Sequence, residues 1–145
     1  MLRDIHHVQL TCPVGTETAV REFYTGVLQL QEIAKPPLLA QRGGCWFVGA
    51  EQSRLEIHIG VADPFVPATK GHPGLICDDK QDLDALVARL ESAGCPVAWD
   101  DALSEATMSV THADGVRRPH TTGMWRFYVN DPHGNRLEFL APRAP

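Results

Sequence analysis

Residues 5–12 alternate between apolar and polar closely enough to predict a β-strand, and Pro13-Val14-Gly15 ends that pattern before a helix that begins near Thr16. Val20, Phe23, Tyr24, Val27 and Leu28 recur at helical spacing, which predicts one buried helix face. Three more strands are predicted over 30–34, 44–50 and 54–61, with 50–53 as the turn between the last two. The linker 62–71 contains Pro64 and Pro67 and suits an extended connection better than a helix or a central strand. The same order then repeats. Residues 72–77 read as a strand and 82–93 as a helix with Leu83, Leu86, Val87 and Leu90 inward and Gly94 as its cap. Strands follow over 96–99, 124–130 and 135–140, the last two joined by the turn sequence Asp131-Pro-His-Gly134.

The repeat extends to particular residues. His7-Val-Gln-Leu-Thr-Cys12 returns as His72-Pro-Gly-Leu-Ile-Cys77, and Arg54-Leu-Glu56 returns as Arg136-Leu-Glu138. Two copies of one β-α-β-β-β unit, about 4–62 and about 71–142, explain this most simply, within one domain spanning 1–145. Each copy offers one His and one Glu, so His7, Glu56, His72 and Glu138 form a candidate metal site related by the internal repeat. Strand alternation puts His7, Gln9 and Thr11 on one face, and Glu56, His58 and Gly60 on one face. His58 is therefore an alternative ligand to Glu56. Imidazoles and carboxylates suit one divalent ion, Zn, Ni, Co, Mn or Fe, with positions left for water or substrate oxygens.

Composition removes several classes of function. The chain has 145 residues and a formal net charge of −5, enough for a real core and without the basic stripe of a nucleic-acid binder. No apolar run is long enough for a membrane span, and residues 1–20 lack a signal-peptide pattern, so a cytoplasmic protein is expected. Cys12, Cys45, Cys77 and Cys95 show no CxxC spacing and are expected to be reduced and mostly buried. His6 is read as structural, on the face opposite His7, and His133 as a solvated turn residue. The second copy also carries an insertion, about 101–123, which reads as a lid or pocket wall. His112 and His120 would reach the pocket only through it.

These residues carry a family resemblance. Ile5-His-His-Val-Gln-Leu10, Arg21-Glu-Phe-Tyr-Thr-Gly-Val-Leu28, Gly71-His72 leading into Asp82-Leu-Asp-Ala-Leu86, and Phe127-Tyr-Val-Asn-Asp-Pro-His-Gly-Asn-Arg-Leu-Glu138 resemble the vicinal oxygen chelate superfamily. That group includes glyoxalase I, extradiol dioxygenases, methylmalonyl-CoA epimerase, and fosfomycin and bleomycin resistance proteins. The resemblance implies an α+β fold in which two tandem βαβββ modules form a curved, cup-like mixed sheet with flanking helices. It also implies metal ligands at His7, Glu56, His72 and Glu138, and a small substrate whose adjacent oxygens bind the ion. A homodimer is expected.

The reaction expected from this resemblance is that of a glyoxalase- or epimerase-like lyase or isomerase, with Glu138 or Glu56 as general base and acid. Gln9, His58, Lys70, Arg117 and Arg118 are the candidate substrate contacts, the cations for an anionic tail. One alternative is an Fe(II) extradiol dioxygenase using His7, His72 and Glu138, against which Glu56 stands as a fourth ligand. Another is a drug-binding protein of the bleomycin-resistance kind, which has no need for four ligands. A thiol transferase acting on an antibiotic epoxide is also compatible.

Overall fold

The structure, a computed structural model, describes residues 1–100, 109–111, 117–119 and 123–143, with only the backbone of 109–111 and 117–119. It is an α+β protein with two four-stranded mixed sheets, and the chain divides into two compact units. Unit 1 comprises Met1–His72 with Asn130–Arg136; unit 2 comprises Pro73–Val129 with Leu137–Pro145.

In unit 1, β1 (Val8–Cys12) lies parallel to β4 (Glu56–Val61), which pairs antiparallel with β3 (Cys45–Val48), which pairs with β2 (Gln31–Ile33). Leu10, Cys12, Cys45, Phe47, Ile57 and Ile59 turn to the core, where Val20, Phe23 and Tyr24 cover them. Those three lie on a helix that changes pitch. It is α-helical over Glu17–Arg21 (α1) and π-helical over Glu22–Val27, closed by Leu28 N–H donating to the Phe23 carbonyl at 3.0 Å. The wider turn keeps Phe23 and Tyr24 buried together, with the Tyr24 ring stacked on Phe47 at 5.1 Å. A short helix α2 (Pro37–Ala40), opened by its proline, follows β2 and was not expected from the pattern.

The segment Asn130–Arg136 completes unit 1 with a buried polar network. Asn135, fully buried, donates from Nδ2 to the Thr11 carbonyl and to Asp131 Oδ2, both at 2.8 Å, and accepts from Ala68 N–H at 3.0 Å. Asp131 Oδ1 accepts from the backbone of His133 and Asn135 at 2.9 Å, and Tyr24 Oη donates to Oδ2 at 3.2 Å. Every polar atom drawn into this network has a partner, as burial demands. Burial, and next the Asp131 charge, push the Tyr24 phenol well above its usual range.

In unit 2, β5 (Gly74–Ile76) lies parallel to β10 (Arg136–Pro142), followed in the sheet by β9 (Met124–Asn130) and β6 (Ala98–Trp99). Helix α3 (Lys80–Ser92) buries Leu83, Leu86 and Leu90, while Val87 is half-buried at the edge of that face. Asp79 caps its start by accepting from Asp82 N–H at 2.9 Å. Gly94, at φ +73°, ends it in a left-handed turn in which Cys95 N–H reaches the Leu90 carbonyl and Gly94 N–H the Glu91 carbonyl, both at 2.9 Å. Phe127 stacks on Phe139 at 5.4 Å in the core of this unit.

Two short strands, β7 (Ser109–Thr111) and β8 (Arg117–Pro119), pair antiparallel within the expected insertion. The rest of that insertion, with His112 and His120, and the side chains of Arg117 and Arg118 lie outside the described residues. No helix among the described residues is long and apolar enough to cross a membrane.

Candidate functional site

The polar face of the unit 1 sheet is built by register. Trp46 pairs with His58 across β3 and β4, and Gln9 pairs with His58 across β1 and β4. The Trp46 and His58 rings stack at 4.0 Å and 5°, and His7 stacks on the other side of His58 at 4.0 Å and 19°. Val8 faces Ile57, so His7 stands one residue before the paired part of β1 and is exposed. The strand expected from residue 5 thus begins at Val8, and His6 and His7 are not held to strand alternation. His6 consequently shares the site with His7, their Nδ1 atoms 3.0 Å apart, instead of occupying the opposite face as expected.

His58 is buried, and its Nε2 donates to Glu56 Oε1 at 2.7 Å. Burial, partly offset by that hydrogen bond, holds the His58 imidazole below its usual range, so the ring is neutral at pH 7. The same hydrogen bond holds the Glu56 carboxyl below the usual carboxylate range. Glu56 and His58, the two alternative ligands, are therefore partners of one another. They line a cavity of ≈ 470 Å³ together with His6, His7, Gln9, Trp46, Lys35 and Arg42.

Glu138, buried on β10 of unit 2, has a different neighbour. Arg126 Nη1 donates to Glu138 Oε1 at 3.3 Å while Nη2 donates to Asp100 Oδ2 at 2.6 Å, with both the Arg126 and Glu138 side chains about one-tenth exposed. Arg126 was not singled out by the sequence. Its place on β9, two residues before Tyr128 and across from β10, is what brings it to Glu138. Burial, and then the Glu138 charge, push the Tyr128 phenol up. A side chain at Gly74 would come 3.4 Å from Glu138 Oε2, so this glycine leaves room beside that oxygen.

The strand expected to begin at His72 begins instead at Gly74, so His72 stands two residues before β5. Its Nδ1 donates to the Lys70 carbonyl at 2.8 Å, which puts the lone pair of the neutral ring on Nε2. Lys70 thus meets His72 through its backbone, and its side chain is exposed. Arg54, in the first of the two Arg-Leu-Glu triplets, pairs with Asp4. Among the described residues, no three His, Cys, Asp or Glu side chains are arranged to hold a metal ion.

The sequence missed Lys35, Arg42 and Trp46 as site residues. Trp46 carried a signal, a large aromatic in a strand whose alternate residues Cys45 and Phe47 face the core, which directs it to the polar face. Lys35 and Arg42 flank α2, in a stretch where no element was expected.

Comparison with known proteins follows the same lines. The model of the Glyoxalase/Bleomycin resistance protein/Dioxygenase superfamily matches residues 4–139. A structure from Bacillus anthracis described as a glyoxalase family protein is 36% identical, with a TM-score of 0.78, covering 99% of this chain and 98% of that one. Lactoylglutathione lyase from Agrobacterium tumefaciens shares the fold at 20% identity and TM-score 0.54, covering 92% and 91% of the two chains. The fosfomycin resistance protein FosX from Listeria monocytogenes does so at 18% identity and TM-score 0.62, covering 99% and 96%. No match was found among curated proteins.

Proposed function

The chain belongs to the Glyoxalase/Bleomycin resistance protein/Dioxygenase superfamily, and on that premise we propose that it is a metal-dependent lyase or isomerase acting on a small substrate with two adjacent oxygens. The observation that carries this reading is the His58–Glu56 pair at 2.7 Å, set beside His7 in a cavity of ≈ 470 Å³. The donor chemistry fits a divalent ion: His7, His72 and Glu138, with Glu56 or His58 as a fourth, would hold it. The His72 tautomer, with Nδ1 committed to a carbonyl, is the one that metal-bound imidazoles use. When bound, such an ion acts as a Lewis acid on the substrate oxygens and favours an enolate.

The protein's own groups supply the rest. His58, neutral and anchored through Nε2, and Glu56 beside it form a relay able to take a proton from carbon and return it. Of the two carboxylates read as bases, Glu56 lines the cavity, whereas Glu138 is engaged by Arg126. Glu56 is therefore the proposed acid–base group and Glu138 a ligand. Trp46 and His7 bracket the His58 ring and fix its plane, which orients the relay.

Metal content of the protein purified without chelator, repeated on His7→Ala and Glu138→Ala, tests the reading. About one ion per chain, lost in both variants, is the expected outcome. No ion in the wild type, and none taken up from Ni, Co, Zn, Mn or Fe(II), would remove the catalytic reading and favour a drug-binding protein. Proton exchange from solvent into an α-hydroxy-carbonyl or thioester substrate, lost in Glu56→Gln, separates this chemistry from catechol cleavage by a dioxygenase. Light scattering on the purified chain tests the expected homodimer.

A further inference from the structure

We propose that Lys35 and Arg42 form an anion subsite in the unit 1 cavity, so that its ligand is a small organic anion, a carboxylate or phosphonate on a flat body that lies against Trp46. This rests on the reading of that cavity as the substrate site. Lys35 follows β2 and Arg42 follows α2, and both line the cavity with Trp46. Glu56 is the one carboxylate among the described lining residues, and it is engaged with His58. Two permanent cations therefore stand against one committed anion.

Each cation is held in a way that leaves donors for a ligand. The Lys35 ammonium donates to the Gly43 carbonyl and lies 5.9 Å from the Trp46 ring centroid. One of its three N–H bonds is used, so two remain for oxygens in the cavity. Arg42 has no carboxylate partner among the described residues, and its planar fork matches two oxygens of one carboxylate or phosphonate. Glu17, whose charge reaches Lys35, is outside the lining and accepts from Gly44 N–H at 3.2 Å.

Gly44 has φ +80°, and a Cβ there would meet the Ile59 carbonyl at 2.1 Å, so the Gly43-Gly44 turn lies directly on β4. That close approach is what sets the Gly43 carbonyl under Lys35. The Trp46 ring, with Lys35 near it and His58 stacked on it, supplies an apolar surface in the same cavity.

Calorimetric titration of the full chain, stripped of metal with chelator, tests the proposal with three probes: phenylphosphonate, benzoate and neutral benzyl alcohol. Both anions are expected to bind and benzyl alcohol is not, and Lys35→Met and Arg42→Met are each expected to weaken anion binding by roughly tenfold or more. The tighter of the two anions identifies the head group. Lys35→Arg should retain binding, and Arg54→Met, outside the cavity, should leave it unchanged, which separates a local effect from misfolding. Benzyl alcohol binding as tightly as the anions, or anion binding unaltered in both Met variants, would overturn the subsite. Because the titration is done without metal, loss of the metal reading leaves this result interpretable on its own.

Discussion

The two Arg-Leu-Glu strands share one sequence, yet their glutamates have opposite partners. Glu56 accepts from a neutral, buried His58 on its own strand, two residues on, and faces a cavity. Glu138 accepts from a buried guanidinium on the neighbouring strand, which Asp100 braces from its other side. The hairpin turns that precede them differ as strongly. The turn before Glu56 is exposed and closed by Ser53 Oγ accepting from Leu55 N–H at 3.0 Å. The turn before Glu138 is locked by Asp131 and Asn135 into the core of unit 1. A repeat thus preserves the backbone path and the identity of one residue, while the partners that decide what that residue does are drawn from elsewhere and diverge.

The sharpest break of this comparison is at Arg126. Arg126→Met removes the guanidinium that bridges Asp100 and the buried Glu138, and is expected to cost about 3 kcal/mol or more in urea unfolding. Adding Glu138→Gln should restore a large part of that loss, whereas Glu56→Gln in the other copy should shift the midpoint far less. If Glu56→Gln cost as much as Arg126→Met, the two glutamates would be equivalent after all. The turns come next. Asn135→Ala leaves the Thr11 carbonyl, Ala68 N–H and Asp131 short of partners and should cost roughly 3 kcal/mol, against about 0.5 kcal/mol for Ser53→Ala at an exposed turn. Tyr24→Phe, which removes one hydroxyl from the same network, should cost about 1 kcal/mol in the same assay.

The smallest effect concerns the thiols. Burial pushes Cys45 in unit 1 and Cys77 in unit 2 from 9.0 up to about 11. A folded-state value above the unfolded one contributes stability below pH 9 that is lost as the pH rises towards 11, so stability should fall through that window. Cys45 is 1% exposed and Cys77 is half-buried, so iodoacetamide at pH 8 should label Cys77 first and both more slowly than in urea. Equal rates for the two would contradict this difference in burial.

Much of the fold was legible because its signals are local. Alternation marked the strands, the 3.6-residue period marked Leu83, Leu86 and Leu90, and Gly94 marked the end of α3. The π-helical stretch Glu22–Val27 was not legible, because Phe23 and Tyr24 fit an α-helical face equally well on paper. Helix α2 is too short to show a period. For the site, alternation correctly set Glu56 and His58 on one face but could not say that they bond, nor that Trp46, twelve residues earlier, would stack on His58. Arg126 was hidden for a related reason: its partners Glu138 and Asp100 are twelve and twenty-six residues away, and pairing across strands leaves no mark in the nearby sequence.

The polar lock made by Asp131 and Asn135 bears on how the protein is made. Asn135 is the residue that satisfies Thr11 and Ala68, yet it leaves the ribosome after the whole first repeat and most of the second. The first repeat therefore emerges with its Tyr24 hydroxyl and two backbone groups still waiting for partners, and it becomes a finished unit only once Asp131 and Asn135 have been added. A fragment cut at the linker would inherit that incompleteness permanently.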